Sequence, residues 1–409
     1  MTIRVRAILV SVVVMATMWL GGCGHYVCDH TFGNATCTSS GSGISQGGGT
    51  TSAASAYLYA VDEAGTIDGY AFNPSTSSLA AISSYTAPAI PTNLFGDGMV
   101  VAQKQYLYTA FSSVGQIYGW SIDSSGALTA ISGSPFTAAF LLGNPANGPW
   151  GMIANPAGTL LFVDDTSSEA VYVYSIGSGG VLTAVSGSPF SVPFFPGNLG
   201  TDGLGKYLYV TNESSSQQVA AYSIASSGTL TAVTGSPFSA PLGQVQGDPS
   251  GDFLIGIEGS TYGAYDLYVY NITQSGSSAG AITPVSGSPF KTTYSPYAFA
   301  VQPETGGTGV YSFSYNTSEF NPVEGYTLSS TGTLTADTGS PFSGVGDGSW
   351  GIFDQSGAYL FVYSSYSNES GDVVTQIAPL DIGSGGALTQ PISTLPLVTS
   401  GFWTVTDSN

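Results

Sequence analysis

The side chains that carry most reactive chemistry are few in this 409-residue chain, and they are unevenly placed. Cys23, Cys28, Cys37, His25 and His30 all lie near the N-terminus. From residue 56 onward there is no histidine, arginine or cysteine, and the cations are Lys104, Lys206 and Lys291. A Ser-His-Asp or Cys-His site needs an imidazole base, so that region cannot build one. A His/Cys zinc site is excluded there on the same ground, and no Gly-Lys-Ser/Thr phosphate loop occurs. What remains is oxygen and aromatic surface. Asp97, Asp164 and Asp347, with Asn147 and Asn198 nearby in pattern, offer hard oxygen ligands of the kind calcium takes. A Ca²⁺ held by Asp97, Asp164 and Asp347 would polarise a carbonyl, although no segment has EF-hand spacing. Trp150, Tyr297 and Trp350 offer flat platforms for a glycan, a protein or peptide partner, or a small-molecule ligand. The plain alternative is that the acids are solvated charges that keep the chain soluble and that the aromatics are core. The adjacent pair Asp164 and Asp165 resembles a glycosidase pair only on paper, because neighbours on a strand point to opposite faces.

Charge narrows the partners. Five Lys and Arg stand against 25 Asp and Glu, a formal charge of −20. Nucleic acid is excluded, since phosphate contacts need Lys and Arg. Anionic substrates and anionic membrane surfaces are disfavoured for the same reason. Charged residues make up only 7% of the chain, well below the usual quarter. With 25 Tyr and 20 Phe there is material for a large core. Mean hydropathy is +0.21, yet after residue 20 no apolar run approaches the ~18 residues of a spanning helix.

The N-terminus reads as an export signal. Arg4 and Arg6 precede an apolar core from Ala7 to Leu20. Leu20-Gly21-Gly22-Cys23 then resembles the bacterial lipoprotein processing box, in which small residues fit the peptidase cleft and the cysteine thiol takes the lipid. Residues 1–22 are expected to be a cleaved signal peptide and Cys23 the lipid anchor. The anchor places the chain in the periplasm or on the cell surface. Gly24, which is not the Asp retention signal of enteric bacteria, points to the outer membrane. In residues 23–37, Cys28 and Cys37 form a disulfide in an oxidising compartment. A metal site with His25 and His30 is the other reading, and its spacing matches no zinc pattern. Residues 38–55 are a Gly/Ser/Thr-rich tether.

Residues 56–409 repeat themselves. One module is ALTAISGSPF (127–136), VLTAVSGSPF (181–190), TLTAVTGSPF (229–238), AITPVSGSPF (281–290) and TLTADTGSPF (333–342), with degenerate copies at 78–88 and 387–397. A second module begins at Tyr57, Tyr106, Leu160, Tyr207, Phe253, Val310 and Tyr359, and a third includes VYVYSI (171–176) and VAAYSI (219–224). Short β-branched and aromatic runs that alternate in period two are strands. Turns such as NPAGT (155–159) and DPSGD (248–252) separate them. A fourth strand, such as GMIAN (151–155), precedes each second module, and its glycine allows close backbone approach around an axis. Four strands in a unit of about fifty residues, repeated seven times, predict an all-β seven-bladed β-propeller. The first copy starts at its second strand and the chain ends on a lone first strand, GFWTVTDSN (401–409). The C-terminal strand should therefore complete the first blade and close the ring, which protects sheet edges.

Tyr209-Val210-Thr211-Asn212 spells YVTN. With the AYSI strand and the LTAVxGSPF tail, the unit resembles the lactonase-like seven-bladed propellers, which include bacterial 6-phosphogluconolactonases. That resemblance implies the fold and, for activity, lactone hydrolysis. The matching residues are strand and turn residues, which packing alone would retain. The basic and histidine residues the resemblance implies for acidic substrates are missing, and no catalytic residue of that family maps onto this chain. The expectation is a lipid-anchored binding propeller, with lactone hydrolysis, assisted by a metal or carboxylates, as the alternative. Loops after the second and fourth strands of a blade share one face. That loop face should carry Asp97, Asn147, Trp150, Asp164, Asn198, Tyr297, Asp347 and Trp350.

Intact-mass measurement of the membrane-extracted protein, without reductant, should give a chain starting at Cys23, with diacylglycerol added and two hydrogens lost to a Cys28–Cys37 bond. A mass that begins at Met1, or free thiols with bound zinc, would overturn the corresponding reading.

Overall fold

The computed structural model describes residues 27–28, 37–38, 56–61, 66–75, 78–86, 98–111, 114–138, 151–165, 168–212, 217–258, 266–303, 309–314, 322–342, 350–367, 373–389, 395–397 and 403–407. The chain divides into two units, Met1–Thr51 and Ser52–Asn409. In the first, Val27–Cys28 pairs antiparallel with Cys37–Thr38, and Cys28 stands directly opposite Cys37. Cys23 lies outside the described residues.

The second unit is a seven-bladed β-propeller, one antiparallel sheet per repeat, arranged in a ring. Blade 4 shows the plan. Its inner strand Pro196–Thr201 pairs with Tyr207–Asn212, which pairs with Gln218–Ile224, which pairs with Leu230–Ala232. Every residue of Tyr207–Asn212 is buried. Period-two alternation explains this. Leu208 and Val210 join a core shared with Phe162 and Val173 of blade 3. Tyr209 and Tyr207 join another with Leu254 and Tyr270 of blade 5. Both faces of the sheet are therefore apolar. A core of this kind lies at each seam between neighbouring blades, and each buried Leu, Val or Phe contributes about 1.5–3 kcal/mol. Ring closure follows the expectation. Trp403–Asp407 pairs with Ala56–Val61, Val405 opposite Leu58, so the C-terminus supplies the inner strand of blade 1.

The Ser-Pro-Phe module has a structural purpose. The fourth strand of blade 4 is broken. Leu230–Ala232 pairs with one half of the third strand, and Phe238–Ser239 pairs with the other half. Between them the chain turns through Gly235 at φ 89° and a cis Ser236-Pro237 bond. The break leaves the amide of Ala221 without a strand partner, and it donates instead to Ser236 Oγ at 2.9 Å. The same bond recurs from Gly119 to Ser134, Val173 to Ser188, Val269 to Ser288 and Gly325 to Ser340. Neighbouring blades are also clamped by tyrosine. The Tyr59, Tyr108, Tyr209 and Tyr311 hydroxyls donate to the carbonyls of Gly126, Gly180, Gly280 and Gly386 in the next blade, at 2.8, 2.6, 3.1 and 2.9 Å. Gly126 must be glycine twice over: its φ is +79°, and a Cβ there would lie 2.5 Å from Tyr57 Cδ1.

Replacing Ser236 with Ala should strand the buried Ala221 amide and cost about 1–3 kcal/mol. Urea unfolding should show a lower midpoint with an unchanged slope. An unchanged midpoint would show that the serine does not carry this function.

Candidate functional site

The inner strands begin, and the second strands end, on one face of the ring, the loop face. There Gly98, Gly151, Asn198, Gln244, Ala298 and Trp350 stand opposite Ala110, Asp164, Thr211, Ile257, Phe313 and Tyr363. These six positions form the described mouth of the ring. Their chemistry is not uniform. Blades 2 and 3 contribute glycines. Blades 4 and 5 contribute amides, and each is tied to the next blade: Asn198 Oδ1 accepts the Val245 amide at 3.1 Å, and Gln244 Nε2 donates to the Tyr297 carbonyl at 3.1 Å. Blades 6 and 7 contribute the aromatics. Tyr297 stands at a bulge one residue outside Ala298 and is 57% exposed, and Trp350 is 37% exposed.

The surroundings hold these aromatics in place. The backbone at Gly351 presses on the buried ring of Phe313, so closely that a Cβ would fall 2.3 Å from Phe313 Cζ. That contact seats the start of the Trp350 strand against blade 6. Tyr297 is held from the other side. Buried Glu324, on the third strand of blade 6, accepts the amides of Thr293 and Tyr294 at 2.8 and 3.0 Å and the Tyr326 hydroxyl at 3.1 Å. It therefore pins the segment that leads into Pro296 and Tyr297. Tyr294, in that segment, is 38% exposed.

The described acids at the end of the second strand of blade 3 are structural acceptors. Asp164 and Asp165 are fully buried, not solvated as the plainer sequence reading has it. Asp164 Oδ1 accepts the Gly151 amide at 2.7 Å. Asp165 accepts the Ser168 hydroxyl at 2.7 Å. The two neighbours thus serve different elements, as strand alternation requires. On the opposite face, Asp202 and Asp248 close the turns between first and second strands by accepting the amides of Tyr207 and Phe253, both at 2.7 Å. Burial raises the Asp202 pKa, against the amides of Tyr207, Lys206 and Leu204, which lower it. Lys104 and Lys206 also lie in these turns. Lys291, on the loop-face side of blade 5, forms an ion pair with Asp266 at 2.6 Å. Among the described residues, no three His, Cys, Asp or Glu side chains converge as metal ligands.

Of the residues singled out in sequence, Asp164, Asn198, Tyr297 and Trp350 do lie at the loop-face ends of their strands. Asp97, Asn147, Trp150 and Asp347 lie outside the described residues. Glu324 was not singled out. Its signal was a departure from the repeat, an acid where VYVYSI and LYVYNI carry tyrosine. Asp337 is a second departure, at the place of Ile131, Val185, Val233 and Val285.

The fold is one already seen in solved propellers. A candidate 6-phosphogluconolactonase from Bacteroides uniformis matches with a TM-score of 0.63 at 14% identity, covering 87% of this chain and 100% of that one. A second, from Bacteroides fragilis, matches with 0.61 at 15% identity, covering 87% and 99%. The periplasmic gluconolactonase of Pseudomonas aeruginosa matches with 0.59 at 14% identity, covering 88% and 100%. At such identities the likeness is one of fold. No protein-family profile and no curated protein sequence matches the chain.

Asp337 offers a direct test of how this protein treats buried acids. It is 6% exposed, Thr327 Oγ1 donates to its Oδ1 at 2.6 Å, and among the described residues its Oδ2 has no hydrogen-bond partner. Burial raises its pKa, with the Thr327 bond pulling the other way. A group whose folded pKa is raised contributes stability that is complete below the ordinary carboxylate pKa and is lost as pH rises through the folded value. At neutral pH, well above the ordinary carboxylate range, keeping this carboxyl in the core therefore costs stability, whichever form it takes there. Asp337→Val should stabilise the protein by about 1–3 kcal/mol at pH 7, and the gain should shrink below about pH 4. Thr327 keeps a partner, since Ser121, Ser175 and Ser223 at its place in other blades donate to cross-strand threonine carbonyls. Loss of stability at pH 7 in the variant would show that the carboxylate is needed.

Proposed function

We propose that this chain is an exported binding propeller, tethered by lipid at Cys23, that takes a polyhydroxylated ligand on its loop face against Tyr297 and Trp350. The observation that carries this reading is the pair itself. Two aromatic side chains, 57% and 37% exposed, open neighbouring inner strands at the mouth; among the described residues Phe195 and Tyr294 are also exposed, and most other tyrosines and phenylalanines are core. Flat aromatic faces stack on the C–H faces of sugars, and amides and carboxylates beside them bond hydroxyls. No imidazole or guanidinium is present in the ring to supply ordinary acid-base or oxyanion chemistry. The tether of residues 38–55 would hold the propeller away from the lipid.

A second reading has its own support, because two of the solved propellers that share the fold are described as candidate 6-phosphogluconolactonases and a third as a gluconolactonase. In this chain, lactone hydrolysis would fall to carboxylates, or to Ca²⁺ on Asp97, Asp164 and Asp347. Asp164 fits a calcium ligand poorly, because its carboxylate is closed off from solvent and already accepts the Gly151 amide.

One set of experiments separates the two. Calorimetry of the soluble chain from residue 38 with six-unit hexose oligosaccharides of different linkage should show binding to at least one. Trp350→Ala and Tyr297→Ala should each weaken it about three- to tenfold without lowering the melting temperature. In a pH-stat, gluconolactone and its 6-phosphate should not be turned over, with calcium or with chelator. Calcium-dependent turnover would replace the binding reading with hydrolysis. Binding that survives both substitutions would move the site off this face.

A further inference from the structure

From the placement of every cation in the propeller, we infer that the loop face selects an uncharged saccharide and rejects acidic sugars, whether uronates or sugar phosphates. This rests on the loop-face binding proposed above and names the class of ligand. The whole ring has three cations and no arginine. Lys104 and Lys206 lie in turns between first and second strands, at the far end of the blades from the mouth. Lys291 alone reaches the loop-face side, where its exposed ammonium pairs with Asp266 at 2.6 Å. The segment from Lys291 runs directly into Tyr294 and Tyr297, held by Thr292 Oγ1 donating to the Tyr294 carbonyl at 2.7 Å. The one loop-face cation thus lies on the outer strand of blade 5, in the segment that leads to the aromatics, and it is already paired.

Recognition of a carboxylate or phosphate relies on bidentate arginine, an unpaired lysine or a helix N-terminus. The propeller has no arginine, its nearest lysine is occupied, and its described residues contain no α-helix. The sequence between second and third strands adds Asp62, Glu63, Glu213, Glu319, Glu369 and Asp372. The field of a chain of net charge −20 repels an anion over a range of about 8–10 Å at ordinary salt. A neutral sugar is indifferent to that field and gains from the aromatic faces.

The test uses matched ligands, neutral six-unit hexose oligosaccharides against hexagalacturonate, followed by calorimetry at 20 and 300 mM salt. The neutral ligand should bind at least tenfold more tightly at low salt, and raising the salt should narrow the gap by improving uronate binding. Asp266→Asn, which releases Lys291, should tighten uronate binding several-fold and leave the neutral ligand unchanged. Equal or tighter binding of hexagalacturonate by the parent protein would overturn the inference while leaving loop-face binding in place. A selectivity that does not respond to Asp266→Asn or to salt would also overturn it, since charge would not be its cause. Binding of neither ligand would remove the proposed function and this inference together.

Discussion

Each blade of this protein is a sheet with two apolar faces, and neither face can be left in water. That constraint organises the rest. An alternating strand such as Tyr207–Asn212 sends Leu208 and Val210 one way and Tyr209 the other, and every residue in it is buried. A sheet of this kind has no solvent side, so each blade needs two neighbours and the array must close. Closure is done by the chain itself, with Trp403–Asp407 completing the blade that Ala56–Val61 begins. Seven inter-blade cores replace a single central one.

Burying so much backbone creates a second demand, since every amide and carbonyl at the seams needs a partner. The repeated motifs answer it. Serine of Ser-Pro-Phe accepts the amide stranded by the break in the fourth strand. Tyrosine of the second strand donates to a glycine carbonyl across the seam. Aspartate of the first turn accepts the amide that opens the second strand. The residues that recur most strongly are therefore those that satisfy polar groups. Among the described acids, Asp164, Asp202, Asp248, Glu324 and Asp354 serve in this way.

This division explains what was legible in the sequence. Strand, turn and blade count could be read because the seams impose them on every repeat alike. The split first blade could be read because Tyr57 begins at the wrong phase. The broken fourth strand was not legible, since LTAVxGSPF carries no sign of which amide its serine must reach. Asp164 looked like a loop-face ligand because position alone was visible; its fully buried bond to Gly151 depends on the packing of two strands. Tyr297 and Trp350 were chosen for type and place, and their exposure distinguishes them from the many aromatics at strand positions that pack between blades.

The same logic says where to look for function in a repeat protein. A residue that every blade shares is answering a demand that every blade has. A site belongs to one or two blades, so it must appear as departure. Three such departures lie on blades 6 and 7. Glu324 replaces an uncharged residue and pins the approach to Tyr297. Tyr297 occupies the bulge where Gly197 sits in blade 4. Trp350 takes the mouth position that is glycine or alanine in blades 2, 3 and 6, and Gly351 beside it leaves room only for the ring of Phe313. The costs of these changes, a buried carboxylate and two partly exposed aromatics, are not needed by the ring. Packing alone would have removed them, and their presence on adjacent strands at one mouth is the argument that this face meets a ligand.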